Sequence, residues 1–378
     1  MPDVVRIPIT NIYADGDYTG RIFVGAQNRP MNVLLDTGSS MLALSGHKYH
    51  PDTAKGDAPT KIAQTESYED DSGWTGAVIH TSVAIGEVRQ VTVPDANVGI
   101  AYSETKDMFG RTDGILGLAY AALDDAHVLK EETWPKRYSR DQITRGKKTK
   151  IEPYLIQLAK KNIISDTMSF YTRRSAVHHG HGADNDPLNH GWMVVGGGEE
   201  STDLYSGKFQ TAKVMSQEWY NTDLKAIIVG GTEPIHVPRR GAFGSSSNSI
   251  VDSGTASLDF GPHLLKTILD RFDGDKRAQL EASIREDRLV SMSDLDLTAW
   301  PDISFVLQGE TDDITLKVSP GDYWQVNAPK AGAATAAITE GTDGSTLLGL
   351  PLMNGYFTIF DGEADHGKGA IRFASIKR

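Results

Sequence analysis

A mainly β chain built from two similar halves is the fold class the sequence predicts, and three observations predict it. Short alternating or wholly apolar runs recur at 20–24, 33–35, 77–85, 90–93, 192–195, 226–229, 303–307, 314–318 and 356–360, punctuated by Gly, Asp and Asn. Helical spacing is confined to 153–160 (PYLIQLAK) and 262–272 (PHLLKTILDRF), each opening on a proline suited to a first helical turn. Finally, an Asp-hydroxyl-Gly signature occurs twice, in VLLDTGSS at 33–40 and SIVDSGTASL at 249–258.

A second repeated pair strengthens the duplication. DGILGLA at 113–119 and STLLGLP at 345–351 share an apolar-apolar-Gly-Leu core. Gly117 follows Asp36 by 81 residues, and Gly349 follows Asp252 by 97. The same two motifs in the same order mark a duplicated lobe, which we place at residues 1–206 and 207–378.

Composition narrows the function. The chain has 378 residues, 39% hydrophobic and 23% charged, and a formal charge of −12. That balance gives no basic footprint for nucleic-acid phosphates. Cysteine is absent, which fits a reducing compartment. The first residues carry no apolar core of signal-peptide length, and no run of about 18 apolar residues occurs. The expectation is a cytoplasmic protein that does not cross a membrane. Two stretches read as surface insertions. The strongly basic 136–150 is expected to be a solvated loop, and 173–191 is rich in His, Gly and Asp.

The Asp motifs carry the chemistry. An Asp among small residues suits a tight turn, where Gly permits close backbone approach and hydroxyls hold the carboxylate. Were Asp36 and Asp252 to face each other, both could not ionise cheaply, and the pair would share a proton. Such a pair can deprotonate a water with one carboxylate and protonate a carbonyl with the other. The bland alternative is two turn aspartates that only satisfy backbone.

VLLDTGSS, DGILGLAY, IVDSGT and TLLGLPLMNGYFTIFD together resemble the pepsin-like aspartic proteases, in order and in approximate spacing. YTGRIFVG at 18–25, the segment 192–231 and PDISFVL at 301–307 extend the similarity over nearly the whole chain. The resemblance implies a bilobal β fold with a cleft for an extended peptide, and catalysis by Asp36 and Asp252. It makes Thr37 and Ser253 links between the active-site loops. It sets Ser39 and Thr255 against the outer carboxylate oxygens, and Gly38 and Gly254 near the bound peptide. No cofactor and no metal are called for. The expected partners are a peptide or unfolded protein and pepstatin-like inhibitors, with the protein a monomer.

The family closes a β-hairpin flap over its substrate, and 62–79 (IAQTESYEDDSGWTGAVI) is the matching segment. Tyr68 matches the flap tyrosine, in a tip one residue longer than that of pepsin. Pepsin has a Trp seven residues after its first Asp to hold that tyrosine; Ala43 stands there here, as in β-secretase. Trp74 is placed to take over. The bland reading of Tyr68 and Trp74 is cross-strand packing. The three disulfides of secreted members and a recognisable pro-segment are missing, which resembles bacterial, cytosolic pepsin homologues.

Two features that invite other chemistry are set aside. His178, His179, His181 and His190 share one Gly-rich loop, a poor metal cage. The glycines at 196–198 and 230–231 lack GK[ST] and a following helix, and read as turns. The leading expectation is an endopeptidase acting in acid between bulky apolar residues. The alternatives are a pepsin-fold binding protein without catalysis, or a regulatory protein that turns peptides over slowly.

Overall fold

Strand Val5–Ala14 alternates buried and exposed positions along most of its length, with Val5, Ile7, Ile9 and Asn11 inward. That period of two is what a sheet with one covered face requires. The computed structural model describes the whole chain except residues 1, 15, 69, 70, 89, 181, 240–246 and 287. Strands dominate it, and they group into two compact units with interleaved boundaries. One unit comprises Met1–Ile9, Thr19–Asp166 and Val194–Gly196; the other comprises Thr10–Tyr18, Thr167–Met193 and Gly197–Arg378.

In the first unit the strands run, in spatial order, Lys147–Thr149, Ala126–Val128, Ala58–Ser67, Gly73–Ile85, Val91–Thr105, Leu42–Ser45, Gly114–Gly117 and Arg29–Asp36. The Arg29–Asp36 strand pairs with Asp17–Val24, and Ile22 to Val24 then pair with 83–85, closing the set on itself. Two of these pairings are parallel: 33–36 with 114–117, and 43–45 with 99–101. Val33, Leu35, Leu44, Val78, Ile79, Ile100 and Leu116 fill the interior at 0% exposure. Each such side chain contributes about 1.5–3 kcal/mol by leaving water. Helix Tyr154–Lys160 packs on this sheet, with Pro153 as its N-cap and the Tyr154 hydroxyl donating to the Val83 carbonyl at 3.1 Å.

In the second unit an antiparallel run joins Thr167–Tyr171, Tyr356–Asp361, Ala370–Ile376 and Tyr205–Lys213. A five-stranded sheet orders Asn221–Thr222, Ser249–Val251, Thr346–Leu348, Leu258–Phe260 and Ile338–Glu340. Phe260 stacks on Phe305 beneath it, with ring centroids 6.2 Å apart. Helix Pro262–Leu269 starts at its proline, as expected. Helix Gly274–Arg285 was not legible, because only Leu280 and Ser283 are buried along it and the sequence shows no apolar stripe.

Both presumed surface insertions are partly built into the units. Residues 136–150 are not simply a solvated loop: they form helix Arg140–Thr144 and strand Lys147–Thr149, which pairs with 126–128. Their charged ends stay in water while the backbone extends the sheet. In 173–191 the Arg174 side chain is buried against Asp186 at 3.0 Å and the Asn189 amide oxygen at 3.2 Å. His178 Nδ1 lies 2.5 Å from the Asn327 carbonyl and His190 Nε2 lies 2.8 Å from that of Asp184. Both rings are thus held by backbone; His181 lies outside the described residues.

Candidate active site

Each Asp motif ends a strand and enters a tight turn against a neighbouring chain segment. In the first unit Asp36 is opposite Gly117 in a parallel pairing. The Gly38 N–H donates to Asp36 Oδ1 at 2.7 Å, and the Leu118 N–H donates to the Asp36 carbonyl at 2.8 Å. Asp36 is 5% exposed and Thr37 is fully buried.

The second unit repeats the construction. Val251 is opposite Leu348 in a parallel pairing, and the Asp252 N–H donates to the Leu348 carbonyl at 3.2 Å. The Gly254 N–H donates to Asp252 Oδ1 at 2.9 Å, and the Thr255 hydroxyl donates to Asp252 Oδ2 at 2.8 Å. Asp252 is 7% exposed, and Ser253 is buried beside it. A carboxylate that accepts two such bonds has its oxygens fixed in direction.

The repeated glycines are explained by the same geometry. A Cβ on Gly117 would lie 2.4 Å from the Met41 nitrogen, and one on Gly349 would lie 2.2 Å from the Thr255 and Ser257 carbonyl oxygens. Backbone crosses these two positions too closely for any side chain.

One expected contact differs. Ser39 was to bond the outer oxygen of Asp36, as Thr255 bonds Asp252. Its hydroxyl is instead buried without a partner at hydrogen-bond distance and lies towards the Tyr68 phenol. The bond that Thr255 makes with its own Asp has no counterpart in the first unit through Ser39.

The hairpin of Ala58–Ser67 and Gly73–Ile85 carries Tyr68 at its turn, where the Tyr68 N–H donates to the Ser72 carbonyl at 2.9 Å. Glu69 and Asp70 of the tip lie outside the described residues. Burial and the negative charges of Asp36 and Glu66 push the Tyr68 phenol upward from its ordinary pKa. The Trp74 indole N–H and the Ser39 hydroxyl face it and act the other way, although neither closes to full hydrogen-bond geometry.

Trp74 sits in an apolar cluster with Met41, Ala43, Val78, Ala101, Phe109 and Ile115, against which Tyr68 packs. Its ring fills the space above Ala43 and Gly99, which pair with each other. A Cβ on Gly99 would come within 2.8 Å of that ring. The small residues at 43 and 99 therefore make room for the indole.

Sequence reasoning missed the polar residues behind this hairpin. Gln64 Nε2 donates to Glu66 Oε1 at 2.5 Å and to Asp124 Oδ1 at 3.1 Å. Burial raises Glu66 to about 7 and Asp124 to about 8; each is also raised by a neighbouring carboxylate and lowered by Lys150. No spacing in the sequence pairs residues 66 and 124, because the contact is made across two elements.

The fold and both Asp turns define an acid-protease architecture, and comparison with known proteins agrees. The model of the eukaryotic aspartyl protease family matches residues 17–375, so the chain belongs to this pepsin-like family of aspartic-type endopeptidases. It is similar to gastricsin of Callithrix jacchus, 22% identical over 92% of this chain and 80% of the relative. It is also similar to pepsin A of Sus scrofa, 24% identical over 94% of this chain and 80% of the relative. Rhizopuspepsin-5 of Rhizopus niveus is 24% identical over 67% of this chain. These relatives are animal and fungal, so they lend nothing to the bacterial placement expected from the sequence. No helix among the described residues is long and apolar enough to cross a membrane.

Proposed function

We propose that Asp36 and Asp252 act together as the proton-sharing pair that activates water against a peptide bond. The observation that carries this reading is the duplicated turn, a buried Asp whose Oδ1 accepts the N–H of a glycine two residues on, once in each unit. Two carboxylates brought close titrate as a pair, so one is protonated and the other ionised over a window of acid pH. The ionised member takes the water's proton while the other protonates the carbonyl oxygen. Thr37, Ser253 and Thr255 support the turns, with Ser39 directed to the hairpin instead. Gly38 and Gly254 offer backbone to the substrate, and Tyr68, with Trp74 behind it, closes over the peptide.

The apolar surround of Tyr68, with Met41, Met108 and Phe109, supports cleavage between bulky hydrophobic residues. Absence of cysteine is the support for a cytoplasmic setting; the scheme treats the protein as a monomer and uses no cofactor, metal or nucleic acid. Cleavage of an unfolded polypeptide should be fast at pH 4–5 and fall as pH rises through the upper pKa of the pair. A pepstatin-like inhibitor should raise the melting temperature, the shift growing with the logarithm of its concentration above its Kd. A flat rate to pH 9, or no inhibitor shift, would sink this reading.

Trp74→Phe tests the hairpin. It keeps most of the ring volume but removes the indole N–H that faces Tyr68. Because that N–H does not close to a full hydrogen bond, we expect kcat/KM to drop roughly threefold, short of the worth of one hydrogen bond, with a nearly unchanged melt. An unchanged kcat/KM would reduce Trp74 to packing.

A further inference from the structure

We propose that Glu66 and Asp124, bridged by the Gln64 amide in the strand leading to Tyr68, form a proton-operated latch that holds this hairpin in place in acid and releases it near neutrality. The inference rests on the reading of 58–85 as the substrate-closing hairpin. Glu66 precedes Tyr68 by two residues and is opposite Trp74 across the hairpin. Gln64 and Asp124 are fully buried. Both protons of one amide nitrogen are used, one on each carboxyl. Gln64 Oε1 and Asp124 Oδ2 remain buried without a partner.

An unpartnered oxygen on a buried carboxyl is tolerable in the neutral acid and costly in the anion. Two anions on one amide would also repel each other. Relief for the anions is partial: the Gln64 amide donor favours ionised Glu66 and the Ile151 backbone N–H favours ionised Asp124, yet burial outweighs both. Asp125, in the loop with Asp124, adds negative charge and is itself paired with Lys148 at 2.9 Å. His127 on the 126–128 strand acts on Asp125. Arg140 donates to the Ser67 hydroxyl at 2.7 Å and acts weakly on Glu66. Lys150 is the principal cation; its Nζ donates to the carbonyls of Ala122 at 2.7 Å and of Asp124. Asp36 and Glu66 both act on the Tyr68 phenol.

As pH rises, Glu66 and then Asp124 lose their protons to solvent, near 7 and near 8. Both are held above their unfolded values. The stability they confer is therefore complete below about pH 4 and is lost as pH rises through those values. The paired charges push the two residues apart and draw the strand, and Tyr68 with it, from its seat. Glu66 and Asp124 are thus positioning residues acting through Tyr68.

The test follows tryptophan emission against pH in the full chain, with Trp74→Phe identifying the Trp74 signal, alongside kcat/KM at pH 5 and pH 7. Wild type should show a Trp74 transition centred near 7–8. Glu66→Gln with Asp124→Asn should abolish it and raise the ratio of the rate at pH 7 to that at pH 5 about tenfold, the weight of one pKa unit. Lys150→Gln leaves both carboxyls in place and should move the midpoint upward by roughly one unit. It therefore reads the latch even where the amide variant folds poorly. A transition that survives the double substitution, or a midpoint unmoved by Lys150→Gln, overturns the latch. Because emission needs no turnover, a chain that shows the transition but never cleaves peptide would keep the latch and sink the protease mechanism.

Discussion

Asp36→Ala and Asp252→Ala should each reduce cleavage of an unfolded polypeptide at pH 4–5 by at least about a hundredfold, and up to roughly ten-thousandfold, the range of general acid–base catalysis. The losses should not add. If the two carboxyls work as one proton-sharing pair, the double variant is no worse than either single one, since one alanine already removes the pair. The contacts described for each Asp are local, Oδ1 accepting the N–H of the glycine two residues on and Asp252 Oδ2 accepting the Thr255 hydroxyl, so the melt is followed beside the rate. The measurement is product formation by mass spectrometry, with the melt as a folding control. Equal activity in wild type and either variant would reject the assignment.

The second large effect concerns stability. Gly117→Ala and Gly349→Ala should each cost about 3 kcal/mol or more. The added methyl meets backbone atoms at 2.4 Å in one unit and at 2.2 Å in the other, so no rotamer change relieves it. Gly274→Ala is the control: it opens a helix, nothing lies within 4 Å of its added Cβ, and alanine is the better helix former. Its melt should be unchanged or slightly higher. Calorimetry of the three variants decides the matter, and a Gly349→Ala melt within a degree of wild type would refute the close-crossing account.

Much of this architecture was legible because it is local. A carboxylate beside glycine within an apolar run is visible in the letters, and its recurrence at Asp252 exposes the duplication. Ala43 and Trp74 could be connected only through the resemblance to β-secretase, where Ala at the first place goes with a flap Trp. The Gln64–Glu66–Asp124 cluster was not legible, since nothing in a strand sequence tells which distant loop will cover it. Helix Gly274–Arg285 escaped for a different reason: with so little of it buried, its caps rather than any apolar stripe define it, Asp273 accepting from the Lys276 N–H at 3.1 Å. Ser39 shows the converse error, a motif position carried over from Thr255 whose hydroxyl the local packing turns elsewhere.

The basic segment 136–150 has a consequence beyond the hairpin it adjoins. Among the described residues its strand Lys147–Thr149 is the outermost of the first unit's sheet, with one row of backbone donors and acceptors facing no described strand. Such a border invites a second molecule to add its own strand and begin aggregation. Lys147 and Lys148 stand on that border, pairing inward with Val128 and His127. An acidic guard would fade in acid, as carboxylates pick up protons, whereas ammonium groups keep their charge there. The border is therefore guarded by the sign of charge that survives in the acid where this protein is proposed to work.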